Sequence, residues 1–386
     1  MIQRSSSLLS SPSIETLLKL CKSEIQLHQI HARIIRKGLE QDQNLVSIFL
    51  SSSPSRSYSS SVFERVRHPC TYLWNCFIKG YSNRFLFFET VSLLVRMMRQ
   101  GLARPDDHTF PMIMKVCANN GQVRVGSTVH GLIDSYLQER MKKYSSHYVV
   151  PALINMNAKC GHMDRAAALF EEMPRRDLVS YCSMMEGMAI HGCGGEAVQL
   201  FERMLEEGIV PDKVAFIVIL KVCGQAGLVE DGLRYFELMQ RKYSIVVSPD
   251  HYSCIVSLLS RSGKLKEAYE LIKSMPVEAH ASAWGSLLGG CSVHGDTKIA
   301  EAVARRLFEL EPQSGSNYVL LSNIYAALDR WGDVAHLRDR MKENGIKKIS
   351  GRSWISRYNL LVLCFEGLED NNQESRMRHE RNKDHK

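Results

Sequence analysis

Asp177 to Asp212 reads DLVSYCSMMEGMAIHGCGGEAVQLFERMLEEGIVPD, and the pattern of this stretch decides the fold. An apolar helix comes first, then a turn at Cys193-Gly194-Gly195, then a second helix opening on Glu196-Ala197. Ala197, Leu200, Phe201 and Met204 follow at helical spacing, so the second helix has one apolar stripe. The small residue at Ala197 lets two antiparallel helices approach closely. Pro211 stops the second helix and sets the angle to whatever follows. One such hairpin cannot bury its own apolar face, so it needs copies stacked on either side.

The copies are present in both directions along the chain. Turns of the same kind stand at Gly121, Gly161, Gly194, Gly227, Gly263, Gly295 and Gly332, separated by 40, 33, 33, 36, 32 and 37 residues. Two helices of three or four turns with two short loops take about 35 residues. Small residues recur in the second helices at Ala166, Ala197, Gly232, Ala268 and Ala335. Exits recur at Pro105-Asp106, Met173-Pro174, Pro211-Asp212, Pro249-Asp250, Met275-Pro276 and Pro312. The expected architecture is an all-α solenoid of antiparallel helical hairpins.

Composition narrows the function. The chain has 386 residues, 45% hydrophobic and 23% charged, which suits a folded protein rather than a disordered one. Lys and Arg number 49 against 41 Asp and Glu, a net charge of +8 that is compatible with a polyanionic partner without demanding one. The longest apolar stretches, Val214 to Val222 and Tyr318 to Ala327, fall short of the roughly 20 residues that span a bilayer. The 11 cysteines are isolated, with no Cys-x-x-Cys pair, which points to free thiols in a reducing compartment rather than a disulfide framework or zinc site. Residues 1–13 are Ser-rich and acid-free, as in an organellar transit peptide, and equally as in a frayed terminus.

The period alone does not separate tetratricopeptide from pentatricopeptide repeats; the residues do. Asp177 with Tyr181-Cys182, Gly187, Glu196-Ala197, Leu200-Phe201, Met204 and Gly208 to Asp212 resembles a pentatricopeptide repeat. So does the run from Tyr72 through Trp74-Asn75, Ile78 and Gly80-Tyr81, closed by Pro105-Asp106. Residues 71–106 read as a standard repeat, 107–146 as long, 147–177 as short, 178–212 as standard, 213–249 as long and 250–280 as short. Residues 14–70 read as degenerate long and short repeats. Trp284, His294-Gly295, Leu310 to Pro312, Tyr318 to Tyr325 and Arg330-Trp331 resemble an E-type, tetratricopeptide-like extension over 281–356. The chain thus resembles the plant pentatricopeptide repeat class of alternating repeat lengths with an E-type extension. The exit at Arg140 to Tyr144 lacks the usual Gly and Asp, as an in-frame loss of whole repeats would leave it. Residues 357–386 match nothing in the class and read as a disordered, charged tail.

The resemblance implies a right-handed α-solenoid that binds single-stranded RNA, one base per repeat. It also implies that the residue after the first-helix aromatic faces the groove, assisted by the acid or amide that closes the repeat. By that resemblance Asn75 and Asp106 read one base, a pyrimidine and uracil first, and an amide suits this because it offers both donor and acceptor. Pro111, Pro151, Cys182, Ile217 and Cys254 hold the equivalent places and bring no amide or hydroxyl. Cys182, Asp212 and Asp177 complete the RNA-binding set. The resemblance further implies a plastid or mitochondrial location, the chloroplast first, and a role in C-to-U editing beside a separate deaminase-bearing protein or editing cofactor. The alternatives are a helical-repeat protein-interaction scaffold and a shortened, inactive member of the family.

No catalytic, metal or cofactor site is expected. Gly192-Cys193-Gly194-Gly195-Glu196-Ala197 fits a loose dinucleotide pattern, but a true fingerprint follows a β-strand, and here it joins two helices. The His-x-Glu and Pro-Cys-x-x-Cys of a zinc deaminase are both missing. His28, His31 and His130 lie on repeat helices and read as packing or surface residues. The run from Arg376 to Lys383 reads as a solvated basic tail.

Overall fold

The structure, a computed structural model, describes residues 13–346 apart from 22, 54, 85, 121–122 and 139–147. The Met1–Pro12 stretch, the exit at Arg140 to Tyr144, the last residues of the extension and the charged tail lie outside the described residues. Among the described residues there are twenty helices and no strand. They fall into two compact units, one up to Cys160 and one from Gly161 on.

The first unit contains α1 (Ile14–Lys19), α2 (Glu24–Arg36), α3 (Gln43–Ser52), α4 (Arg56–Phe63), α5 (Thr71–Ser82), α6 (Phe87–Gln100), α7 (Thr109–Asn119), α8 (Val123–Gln138) and α9 (Val149–Lys159). Its odd-numbered helices pack on one another in chain order, α1 on α3, α3 on α5, α5 on α7 and α7 on α9. Such a helix is flanked on two sides and buries residues accordingly: in α5, Leu73, Trp74, Phe77 and Ile78 are all inside. Phe63 closes this cluster, stacked on Phe77 at 4.3 Å and edge-on to Trp74 at 4.6 Å between ring centroids. The Ser82 hydroxyl donates to the Met112 carbonyl at 3.0 Å and ties α5 to α7.

The second unit contains α10 (Met163–Glu171), α11 (Leu178–Ile190), α12 (Gly194–Glu206), α13 (Lys213–Ala226), α14 (Val229–Arg241), α15 (Pro249–Arg261), α16 (Leu265–Ser274), α17 (Ala281–His294), α18 (Thr297–Leu310), α19 (Gly315–Ala326) and α20 (Trp331–Glu343). Here α11, α13, α15, α17 and α19 form the continuous layer, and the even-numbered helices back it. In α12 the residues inside include Ala197, Leu200, Phe201 and Met204, the stripe expected from the spacing. Full burial of a side chain such as Phe201 stabilises by about 1.5–3 kcal/mol. The other face of these helices carries ion pairs from hairpin to hairpin, Arg203 to Glu171 at 3.0 Å and Arg234 to Glu202 at 2.9 Å. Exposed pairs of this kind contribute under about 1 kcal/mol each.

The turns correct the sequence register in two places. From Gly161 on, the left-handed residue in the turn inside each hairpin is Gly161, Gly192, Gly227, Gly263, Gly295 or Asp329, spaced 31, 35, 36, 32 and 34 residues apart. Gly192, not Gly194, makes the turn before α12, because Gly194 is already helical and packs with its Cα against Ala226. Asp329, at φ 56°, does in the last hairpin what glycine does elsewhere, and Gly332 lies inside α20. Asp tolerates this conformation better than most side chains because its short carboxylate bonds locally. Five residues after each turn residue comes the small buried one: Ala166, Ala197, Gly232, Ala268 and Ala300. In the last hairpin that place is held by buried Val334, while Ala335 is exposed.

Helix entry is also built from side chains. Asp177 and Asp212 are N-caps of α11 and α13. Pro249 and Asp250 lie inside the first turn of α15, so the residue corresponding to Asp212 is Ser248. Fully buried His251 completes that cap: its Nδ1 accepts from the Ser248 N–H at 3.1 Å, and its Nε2 donates to the Lys213 carbonyl at 2.9 Å. Burial holds its pKa below the ordinary histidine value, against the pull of the Lys213 carbonyl, so the ring is a neutral structural bridge.

Candidate nucleic-acid interface

In each continuous layer, every first helix leaves one face uncovered. On α5 the buried Trp74 fixes the rotation, and the next residue, Asn75, emerges half-buried on that face. The following helix entry brings Asp106 to it. The Asn75 amide donates from Nδ2 to Asp106 Oδ1 at 2.9 Å, and its Oδ1 accepts from the Thr109 hydroxyl at 2.6 Å. Thr109 and Asp106 form a reciprocal cap: Asp106 Oδ1 accepts from the Thr109 N–H at 2.9 Å, and Thr109 Oγ1 accepts from the Asp106 N–H at 3.0 Å. Burial opposes ionisation of Asp106, but hydrogen bonds from Asn75, Thr109 and His108 outweigh it and hold its carboxyl below the usual carboxylate range. The result is an amide with fixed orientation next to a fixed negative charge. One N–H and one lone pair of Asn75 are used internally, and one of each remains.

The sequence singled out Asn75 and Asp106, and the structure brings them together. It missed fully buried Thr109, whose signal was the Asp-x-x-Thr spacing of a cap rather than any base-reading pattern. It also missed Tyr72, 59% exposed and one helical turn before Asn75 on the same face. His108 and Tyr148 hold the same place on the next two entries, each two residues before the buried Phe110 and Val150, and their rings lie 5.2 Å apart. Aromatic faces in such a row are stacking platforms for bases.

The second unit is different. Asp177 accepts from the Ser180 N–H at 2.9 Å and the Ser180 hydroxyl at 2.6 Å, and Asp212 accepts from the N–H groups of Val214 at 2.9 Å and Ala215 at 2.8 Å. Both acids act as helix caps. Cys182 holds the place of Asn75, ten residues before its turn glycine Gly192. Burial pushes its thiol up to about 12, with the charges of Asp212, Glu186 and Asp177 adding to the shift. A neutral thiol offers only weak hydrogen bonding. Counting back from Gly263 in the same way puts Ser253, not Cys254, in this register on α15. Cys254 is buried with its thiol toward the Ile217 carbonyl at 3.9 Å, while the half-exposed Ser253 hydroxyl donates to the Pro249 carbonyl at 2.9 Å.

Comparison with known proteins agrees with these repeats. The family model for the PPR repeat matches residues 72–102, 152–178, 179–209, 214–243 and 250–278, and that for the E motif matches 294–356. The chain is 53% identical to pentatricopeptide repeat-containing protein At5g37570 of Arabidopsis thaliana, over 92% of this chain and 100% of that one. That alignment runs over 554 residues, more than the 386 of this chain, so the relative carries residues with no counterpart here. Two other Arabidopsis thaliana relatives are the pentatricopeptide repeat-containing proteins DOT4, chloroplastic (38% identical over 78% of this chain), and At5g40410, mitochondrial (36% over 86%). This chain spans 34% of the first and 54% of the second. Among solved structures, the pentatricopeptide repeat protein PPR10 in complex with an 18-nt psaJ RNA element superposes with a TM-score of 0.63 at 16% identity, over 86% of this chain and 51% of that one. The maize PPR10 structure gives a TM-score of 0.54. With its hairpins, its repeat matches and a relative covered from end to end, this chain belongs to the pentatricopeptide repeat family.

Proposed function

We propose that this chain is a non-enzymatic, single-stranded RNA-binding adaptor of a plastid or mitochondrion that takes part in C-to-U editing. The observation that carries the RNA reading is the Asn75–Asp106–Thr109 network. It holds one free donor and one free acceptor on an exposed face, the pair that meets the Watson–Crick edge of uracil. Tyr72 beside it supplies a surface on which a base stacks. The compartment follows the chloroplastic and mitochondrial relatives, and the RNA follows the psaJ element held by PPR10. Asp177, Asp212 and Cys182 contribute as helix caps and as an apolar floor rather than as strong base readers.

Binding of RNA to phosphate-contacting side chains releases counterions, so affinity falls with salt, with a log–log slope of about −0.7 per phosphate contacted on a single strand. Fluorescence anisotropy of the purified chain with short RNAs between low and physiological salt is expected to show this slope. Salt-independent binding, or none, favours the protein-interaction scaffold instead.

The editing role rests on the E motif. Trp331, within the E-motif match, is 60% exposed, and Val293, just before that match on α17, is 79% exposed, apolar surface of the kind a protein partner covers. Editing is expected only with a deaminase-bearing partner added. It is expected to fall when Val293→Ser and Trp331→Ser are combined, while RNA affinity stays at the parent value. Cytidine conversion by the chain alone, or undiminished editing by the double variant, removes this role from the extension.

A further inference from the structure

We infer that Lys79 and Lys115 form a phosphate-binding pair on the first unit, a second element of the RNA site distinct from the base-reading residues. The inference rests on the RNA-binding reading and names the groups that hold the backbone.

The argument begins with register. Lys79 lies four residues after Asn75 on α5, and Lys115 lies four residues after Pro111 on α7. One helical turn separates each lysine from the position beside which a base sits, so both lie on the same uncovered face. Both are exposed, and α5 packs directly on α7. Helices in contact stand about 8–10 Å apart. With one nucleotide per repeat, the pair meets two consecutive phosphates, one per helix.

The charge is also available. Two arginines of the first unit are drawn into ion pairs, Arg96 with Glu64 at 2.8 Å and Arg56 with Glu89 at 3.6 Å. Lys79 and Lys115 take part in no ion pair among the described residues. On α11 of the second unit the corresponding place is held by Glu186, five residues after the buried Tyr181 as Lys79 is five after Trp74. Lysine there is therefore not a requirement of hairpin packing. Uncompensated ammonium groups beside a row of exposed rings make a strip that attracts a polyanion and stacks its bases.

The test compares the parent with Lys79→Gln, Lys115→Gln and the double variant, with Lys298→Gln on α18 as the control. Anisotropy titrations use a uridine oligomer and a mixed-sequence RNA over a range of salt. Each lysine lost is expected to make the log–log salt slope shallower by ~0.7, and the pair by ~1.4. The affinity loss is expected to be equal on both RNAs, and the control to leave the slope unchanged. A parent that binds with a salt slope that neither variant alters overturns the lysine pair and leaves the RNA reading standing. A loss confined to one RNA sequence also overturns it, because phosphates carry no sequence. A parent that binds no RNA overturns the reading and the pair together.

Discussion

Replacing Asn75 with Ala is expected to weaken binding by roughly 5- to 150-fold on RNA that places uracil opposite it, the ~1–3 kcal/mol of a lost base contact by analogy with DNA readout. On RNA with a purine at that place the loss is expected to be small. The amide is oriented before any ligand arrives, because Asp106 and Thr109 each hold one of its two ends. A group already fixed loses no rotamer freedom on binding, so its contact contributes nearly in full. The same bonds make Asn75 structural as well: the Ala variant leaves the half-buried Asp106 without one donor, a cost of about 1–3 kcal/mol in stability. The two roles separate in the measurement. A thermal melt reads the structural loss, and the ratio of affinities for two RNAs differing at one base reads the recognition loss. Equal weakening on both RNAs would assign Asn75 to packing alone.

The hairpin layout was legible because its signals are strong and redundant. Apolar period and glycine turn agree at Gly161, Gly227, Gly263 and Gly295, each followed by a proline exit, and Ala197, Leu200, Phe201 and Met204 are inside as their spacing requires. The differences from the sequence register are shifts of one to three residues. Three glycines crowd positions 192, 194 and 195, and only backbone conformation tells which one turns. At Asp329 the turn has no glycine at all, and the nearest glycine signal is Gly332, three residues on. That shift carried Ala335 into a place held by Val334. On α15 a separate shift stands between Cys254 and Ser253, and between Asp250 and Ser248, which caps the helix. Site chemistry suffers more from such shifts than fold does: one residue turns a half-exposed hydroxyl into a buried thiol. The Asn75–Asp106 pair escaped because Trp74 marks the rotation of α5 without ambiguity. Thr109 stayed hidden because its part depends on a bond across two repeats that no single-repeat pattern encodes.

Opposite effects at neighbouring glycines test how tightly the second unit is packed. Gly290 of α17 is buried, and a Cβ built there would stand 2.8 Å from both the Ser260 Cβ and the Ser260 carbonyl oxygen, and 3.0 Å from Leu265 Cδ2. The carbonyl belongs to the backbone of α15, so no rotamer change relieves the contact, and the two helices must move apart. Gly290→Ala is expected to destabilise the unit by roughly 1–3 kcal/mol, the range for overpacking a filled core. A Cβ at Gly289 meets nothing within 4 Å. There the substitution only removes glycine's excess chain entropy from a helix, and Gly289→Ala is expected to stabilise by about 0.5–1 kcal/mol. For a unit of this size each kcal/mol moves the melting temperature by about 2–4 °C, so the two variants shift in opposite directions by a measurable margin. Ser260→Gly added to Gly290→Ala is expected to recover only part of the loss, since it removes the Cβ contact and leaves the carbonyl in place. A Gly290→Ala protein that melts at or above the parent temperature would mean that α15 and α17 are not held at the spacing their shared small residues imply.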